Sequence, residues 1–127
     1  MKFGYTILYV DDVASTLDFY GKAFGLPTRF LHDSGTYGEL ETGATALAFV
    51  SRAMMREIGK TPQPPVLSAP TNEIALVTDD VAAAVDQALS AGATLVQAPQ
   101  DMPWGQTVAY VGDVNGFLVE LCTPLAG

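Results

Sequence analysis

The chain has 127 residues, with 14 Asp and Glu against 6 Lys and Arg, one His and one Cys. A net charge of −8 is the wrong sign for a nucleic-acid surface, which needs cations to displace counterions. One Cys makes no internal disulfide, and one His excludes any intramolecular site built on two imidazoles. No apolar run reaches membrane-spanning length, and Asp11 and Asp12 come too early for a secretory signal. The expectation is a cytoplasmic, globular single domain that handles something small.

Taken in chain order, the first elements already contain a repeat. Residues 8–18, LYVDDVASTLD, recur as residues 76–86, LVTDDVAAAVD. Each copy reads as a strand, an Asp-Asp corner and a helix. Asp12 and Asp80 stand where a side chain caps the first free amides of a helix and meets the positive end of its dipole. Gly25 and Gly92 mark the two helix ends. Strand-like runs follow at Thr28–His32, Tyr37–Glu41 and Thr45–Val50. Their counterparts in the second copy are Thr94–Gln97, Gln106–Val111 and Phe117–Cys122. Thr42-Gly43 and Asp113-Val114-Asn115-Gly116 supply the last hairpin turn of each copy. Ser51–Gly59 reads as a short helix. Residues 61–70, with four prolines, read as a semi-rigid linker or lid.

The predicted organisation is α+β: two βαβββ modules, 1–60 and 71–127, joined by the linker 61–70. All six basic residues lie in the first 60 positions, against seven acidic ones, whereas residues 61–127 carry seven acidic residues and no basic one. The excess negative charge therefore belongs to the second module.

Alternation assigns the faces of the strands. Leu8, Val10, Leu47, Phe49, Ile74, Leu76, Phe117, Val119 and Leu121 should point at helices. The opposite face then carries Tyr5, Ile7 and Tyr9; Ala46, Ala48 and Val50; Glu73, Ala75 and Val77; and Leu118, Glu120 and Cys122. Thr107 and Ala109 are expected on that face too. Small apolar residues leave volume, and two carboxylates facing it give a ligand site its few polar groups.

Paired modules of this order resemble the vicinal oxygen chelate superfamily, the group of glyoxalase I, bleomycin-resistance proteins and extradiol dioxygenases. The resemblance covers nearly the whole chain and is carried best by YVDDVASTLDFYGKAFGL and PWGQTVAYVGDVNGFLVELCTP. It implies cup-shaped mixed sheets with helices on their outer faces, and two cups enclosing a site within a chain or across a homodimer. It also implies four strand positions that hold metal ligands in the metal enzymes of the group. Here those positions are Tyr5, Ala48, Glu73 and Glu120. Only two are carboxylates, whereas hard cations ask for about six oxygens and zinc or iron for nitrogen or sulfur. The expectation is a cleft without cofactor or metal; were a divalent metal present, Glu73 and Glu120 would be its ligands.

The candidate ligand-binding residues are Tyr5, Ile7, Tyr9, Ala48, Glu73, Trp104, Thr107 and Glu120. The phenols and the Trp104 indole offer stacking surface. Glu73 and Glu120 offer charge for a cationic, antibiotic-like molecule, in keeping with the metal-free antibiotic-binding members of the group. Glu39 could join the acidic lining, and Met54 and Met55 an adaptable lid. His32-Asp33-Ser34 reads as a polar turn. Cys122, beside Glu120, reads as a small hydrophobe because a carboxylate raises a thiol's pKa. No catalytic residue is assigned. The alternative is a metal-dependent lyase or isomerase of the lactoylglutathione-lyase type, or a dioxygenase, with an atypical site.

Overall fold

The computed structural model describes residues 1–125, leaving the last two residues of the second module outside. The chain divides into two compact units, Met1–Pro64 and a second beginning at Pro65. Each is a four-stranded mixed sheet with a helix on one face.

The first unit runs β1 (Tyr5–Val10), α1 (Val13–Phe24), β2 (Thr28–Leu31), β3 (Tyr37–Leu40), β4 (Ala46–Ser51) and α2 (Arg52–Glu57). Its sheet order is β1-β4-β3-β2, with β1 and β4 parallel and the other pairs antiparallel. Asp12 caps α1 by accepting from the Ser15 amide at 2.9 Å, and Gly25 ends the helix in the left-handed conformation. The helix buries Val13, Thr16, Leu17, Tyr20 and Ala23 on the sheet, a 3.6-residue stripe. Tyr20 meets Phe49 of β4 with ring centroids 5.0 Å apart. Gly38 lets α1 approach β3: a Cβ there would lie 2.7 Å from Leu17 Cδ1.

The second unit repeats the plan with β5 (Ile74–Val77), α3 (Val81–Ser90), β6 (Thr94–Asp101), β7 (Thr107–Gly112) and β8 (Leu118–Cys122), in the order β5-β8-β7-β6. Asp80 caps α3 through the Ala83 amide at 3.0 Å. Val81, Val85 and Ala88 bury against the sheet that carries Val111, Val119 and Leu121. The Asp113 carboxylate accepts from the Asn115 and Phe117 amides, both at 2.8 Å, and shapes the β7–β8 turn.

β6 is longer than the Thr94–Gln97 expected, because it stays paired with β7 as far as Asp101 opposite Thr107. It passes Pro99 by a register shift between Gln97 and Gln100. An edge strand tolerates a missing amide donor there. Leu67, from the proline-rich segment, belongs with the second unit and packs on Gly112, where a Cβ would clash with its side chain.

The expected faces show in the burial of β1 and β5, whereas residues 46–50 of β4 are buried on both faces and Cys122 of β8 is buried too. Leu8 and Val10 are buried while Tyr5 and Ile7 are exposed, and Val119 and Leu121 are buried.

Candidate functional site

On the first unit, register aligns the residues opposite α1 in rows: Ile7, Ala48 and Glu39 in one, Tyr9, Val50 and Tyr37 in the next. The second row opens a cavity of about 300 Å³ lined by Ile7, Tyr9, Tyr37, Val50, Met55 and Lys60. Lys60 Nζ donates to the Tyr9 hydroxyl oxygen at 3.0 Å and lies 5.5 Å from that ring's centroid. The Tyr37 hydroxyl donates to Glu39 Oε2 at 2.7 Å. Burial, then that carboxylate, raises the Tyr37 phenol far above its ordinary value. Glu39 is offset by Arg29, 3.7 Å away, which also makes a two-point pair with Glu41. Tyr5 and Ala48 do not line the cavity. Ala48 is fully buried within its row.

On the second unit, Glu120 pairs with Ala75 on one side and Tyr110 on the other. The Tyr110 hydroxyl donates to Glu120 Oε1 at 3.0 Å. Burial first, then the hydrogen bond to Glu120, pushes this phenol up to about 12. Glu73 stands one residue before β5. Its carboxyl is raised above the usual range by burial and next by the charge of Glu120. Cys122 lies opposite Val77 and Val108, and its thiol is raised by burial first and then by Glu120, which leaves it unreactive.

The register of β7 corrects one expectation. Tyr110 lies opposite Glu120 and Val108 opposite Cys122, so Val108 and Tyr110 share the Glu120 face. Thr107 and Ala109 are on the other side. Thr107 Oγ1 donates to Asp101 Oδ1 at 2.8 Å, and its amide is held by Thr123 Oγ1 at 2.9 Å. The strand sequence TVAYVG is apolar at both parities, so alternation gives no signal there.

Trp104 is 60% exposed in a turn before β7, its indole N–H donating to Gln106 Oε1 at 2.7 Å. His32 Nδ1 is engaged by Ser34 in the expected polar turn.

The four positions that hold metal ligands in the metal enzymes of the resembling group offer two carboxylates, a phenol and a methyl group. Among the described residues no three His, Cys, Asp or Glu come together to hold a metal ion, and one Glu120 oxygen already accepts from Tyr110. None of the four is an imidazole or a thiolate, the nitrogen and sulfur donors that zinc and iron prefer. Among the described residues no helix is long and apolar enough to cross a membrane.

The family model of the Glyoxalase/Bleomycin resistance protein/Dioxygenase superfamily matches residues 2–121, and the chain belongs to that superfamily. An uncharacterized protein of Mycobacterium bovis is 33% identical over 123 residues, covering 93% of this chain and 80% of its own. Among solved structures, a glyoxalase-related enzyme from Fulvimarina pelagi superposes with a TM-score of 0.83 at 19% identity, over 98% of this chain and 88% of its own. A glyoxalase/bleomycin resistance protein/dioxygenase family enzyme from Burkholderia phytofirmans gives 0.75 at 20% identity, over 94% and 96%. At these identities the structural matches speak for the fold.

Proposed function

We propose that the chain binds a small cationic organic molecule, of the kind represented by cationic antibiotics, on the Glu73/Glu120 face of the second unit, without a metal. One observation carries the reading. Glu120 lies on an otherwise apolar strand face, burial and then the charge of Glu120 raise the Glu73 carboxyl, and residues 61–127 contain no Lys or Arg. A bound cation relieves that repulsion, while Ala75, Val77 and the Tyr110 ring supply apolar surface.

Titration with bleomycin, followed by calorimetry and Trp104 fluorescence, tests this. Saturable binding that is lost in Glu120→Gln supports it. No heat and no fluorescence change at high micromolar drug rejects it. Elemental analysis of protein purified without chelator addresses the metal: stoichiometric nickel, zinc, manganese or iron lost in Glu120→Gln would favour an enzyme instead.

The active form is proposed to be a homodimer. The edge strand of each unit exposes apolar residues, Phe30 and Leu31 on β2 and Leu95 and Val96 on β6, which pairing would cover. Light scattering showing a stable monomer would contradict this.

A further inference from the structure

The cavity of the first unit has the opposite electrostatic character. Its position is set by a helix stop. Gly59 adopts φ +97° after α2, and the Lys60 amide donates back to Met55 O at 3.0 Å while Gly59 donates to Arg56 O at 3.1 Å. This is the paired bonding of a glycine-terminated helix. It delivers the Lys60 side chain onto Tyr9, 51 positions earlier in the chain.

The hydrogen-bond inventory of the polar end is donor-rich. An ammonium has three N–H groups, and the Lys60–Tyr9 bond uses one. Among the described residues no carboxylate lies within 4.0 Å of Lys60. The Tyr9 oxygen accepts from Lys60, which leaves its own O–H to donate. Tyr37 has spent its hydrogen on Glu39, and Glu39 is balanced by Arg29. The rest of the lining is Ile7, Val50, Met55 and the two phenol rings. The cavity volume of about 300 Å³ is at the small end of ligand sites.

We propose that this cavity is a binding site for a small organic carboxylate with a flat apolar body, such as one aromatic ring on a short acid-bearing arm. One carboxylate oxygen takes the Lys60 ammonium and the other the Tyr9 hydroxyl. The ring lies among Ile7, Val50, Met55 and Tyr37. Charge-assisted hydrogen bonds to a carboxylate are the stronger kind, and the methionine adapts to the shape of the body. The proposal rests on residues of the first unit alone and does not depend on the reading given for the Glu73/Glu120 face.

The test uses 3-phenylpropionate, with 3-phenylpropanol and 3-phenylpropylamine as neutral and cationic probes of the same body. Amide NMR shifts locate binding and calorimetry measures it, on the full chain. The expected result is saturable shifts at Ile7, Tyr9 and Met55 with the acid, and binding about tenfold or more weaker for the alcohol and for Lys60→Met. Tyr9→Phe, which keeps the ring, should weaken it less. Lys60 is exposed, so Lys60→Met should melt with the wild type. Equal affinity for acid and alcohol, unchanged affinity in Lys60→Met, shifts confined to the second unit, or no binding in the low millimolar range would each overturn the proposal.

Discussion

Tyr110 gives its hydroxyl hydrogen to Glu120 across the β7–β8 pair, at 3.0 Å. The phenol thereby holds one oxygen of the acid. Burial first, and then this bond, tie the phenol to its proton, with a folded-state pKa of about 12 against an ordinary value of 10.0. Between these values the unfolded chain has lost the Tyr110 proton and the folded chain has kept it. Stability contributed by the neutral phenol is therefore complete below about pH 10 and declines as pH rises toward 12. Urea melts across that window should show a shallower alkaline loss in Tyr110→Phe than in the wild type. Parallel curves would contradict the assignment.

Glu73 works in the opposite sense at neutral pH. Burial and Glu120 raise its carboxyl above 4.5 in the folded chain. Between 4.5 and that raised value the unfolded chain is ionised while the folded chain still holds the proton, so stability falls as pH climbs through the window. Above it the penalty is fully present. Glu73→Gln should thus melt about 1–3 °C higher than the wild type at neutral pH, with the gain gone once both forms are protonated in acid. A cationic ligand should reverse the order, stabilising the wild type more. A lower melting temperature for Glu73→Gln at neutral pH without ligand would count against the pairing of the two acids.

What the sequence made legible was local and periodic. The Asp-Asp corners announced their caps because capping acts within three residues, and Asp12 and Asp80 make the bonds their positions require. On β8 the face was legible because Glu120 stands between Val119 and Leu121, and on β1 because its repeat in the second copy shares the Asp-Asp corner that starts the helix. Thr107 was misplaced because its strand is apolar at both parities, so only pairing with β8 decides the face. Tyr110 and Tyr37 escaped for the same reason: a tyrosine in a strand gives no sign of whether it meets a carboxylate. Lys60 was hidden by distance along the chain, although Gly59, a left-handed residue just past a short helix, is the local feature that places it. Contacts between residues far apart in sequence require the sheet register, which one chain's composition does not carry.

Gly38 should be intolerant of a side chain. A methyl there would meet Leu17 Cδ1 at 2.7 Å, Val13 Cγ1 at 3.1 Å and the Phe30 carbonyl at 3.2 Å. Two contacts are on the buried face of α1 and the third is backbone, so none can swing aside cheaply. Gly38→Ala should cost about 1–3 kcal/mol by overpacking. For Gly112→Ala the three nearest atoms all belong to the Leu67 side chain, so adding Leu67→Ala should relieve it. Chemical denaturation of the three variants separates the cases. An unaffected Gly38→Ala would mean that α1 does not seat as closely as described.

The ion pair of Asp11 and Arg52 should respond asymmetrically. Arg52 Nη2 lies 2.7 Å from Asp11 Oδ1, yet the arginine side chain is 5% exposed and the aspartate 82%. Arg52 Nη1 also donates to the Tyr9 carbonyl at 2.8 Å, and its Nε has no hydrogen-bond partner. Removing Asp11 leaves a buried guanidinium with one fewer acceptor, and an unsatisfied buried charged donor is expensive. Removing Arg52 leaves a carboxylate already in water, where the loss of a pair is worth little. Asp11→Ala should therefore destabilise by about 1–3 kcal/mol, and Arg52→Met, whose apolar chain refills part of the volume, by less. The order is the diagnostic, read from urea midpoints at matched slopes: Arg52→Met falling below Asp11→Ala would show that the arginine contributes mainly by packing between α2 and β1 rather than through its charge.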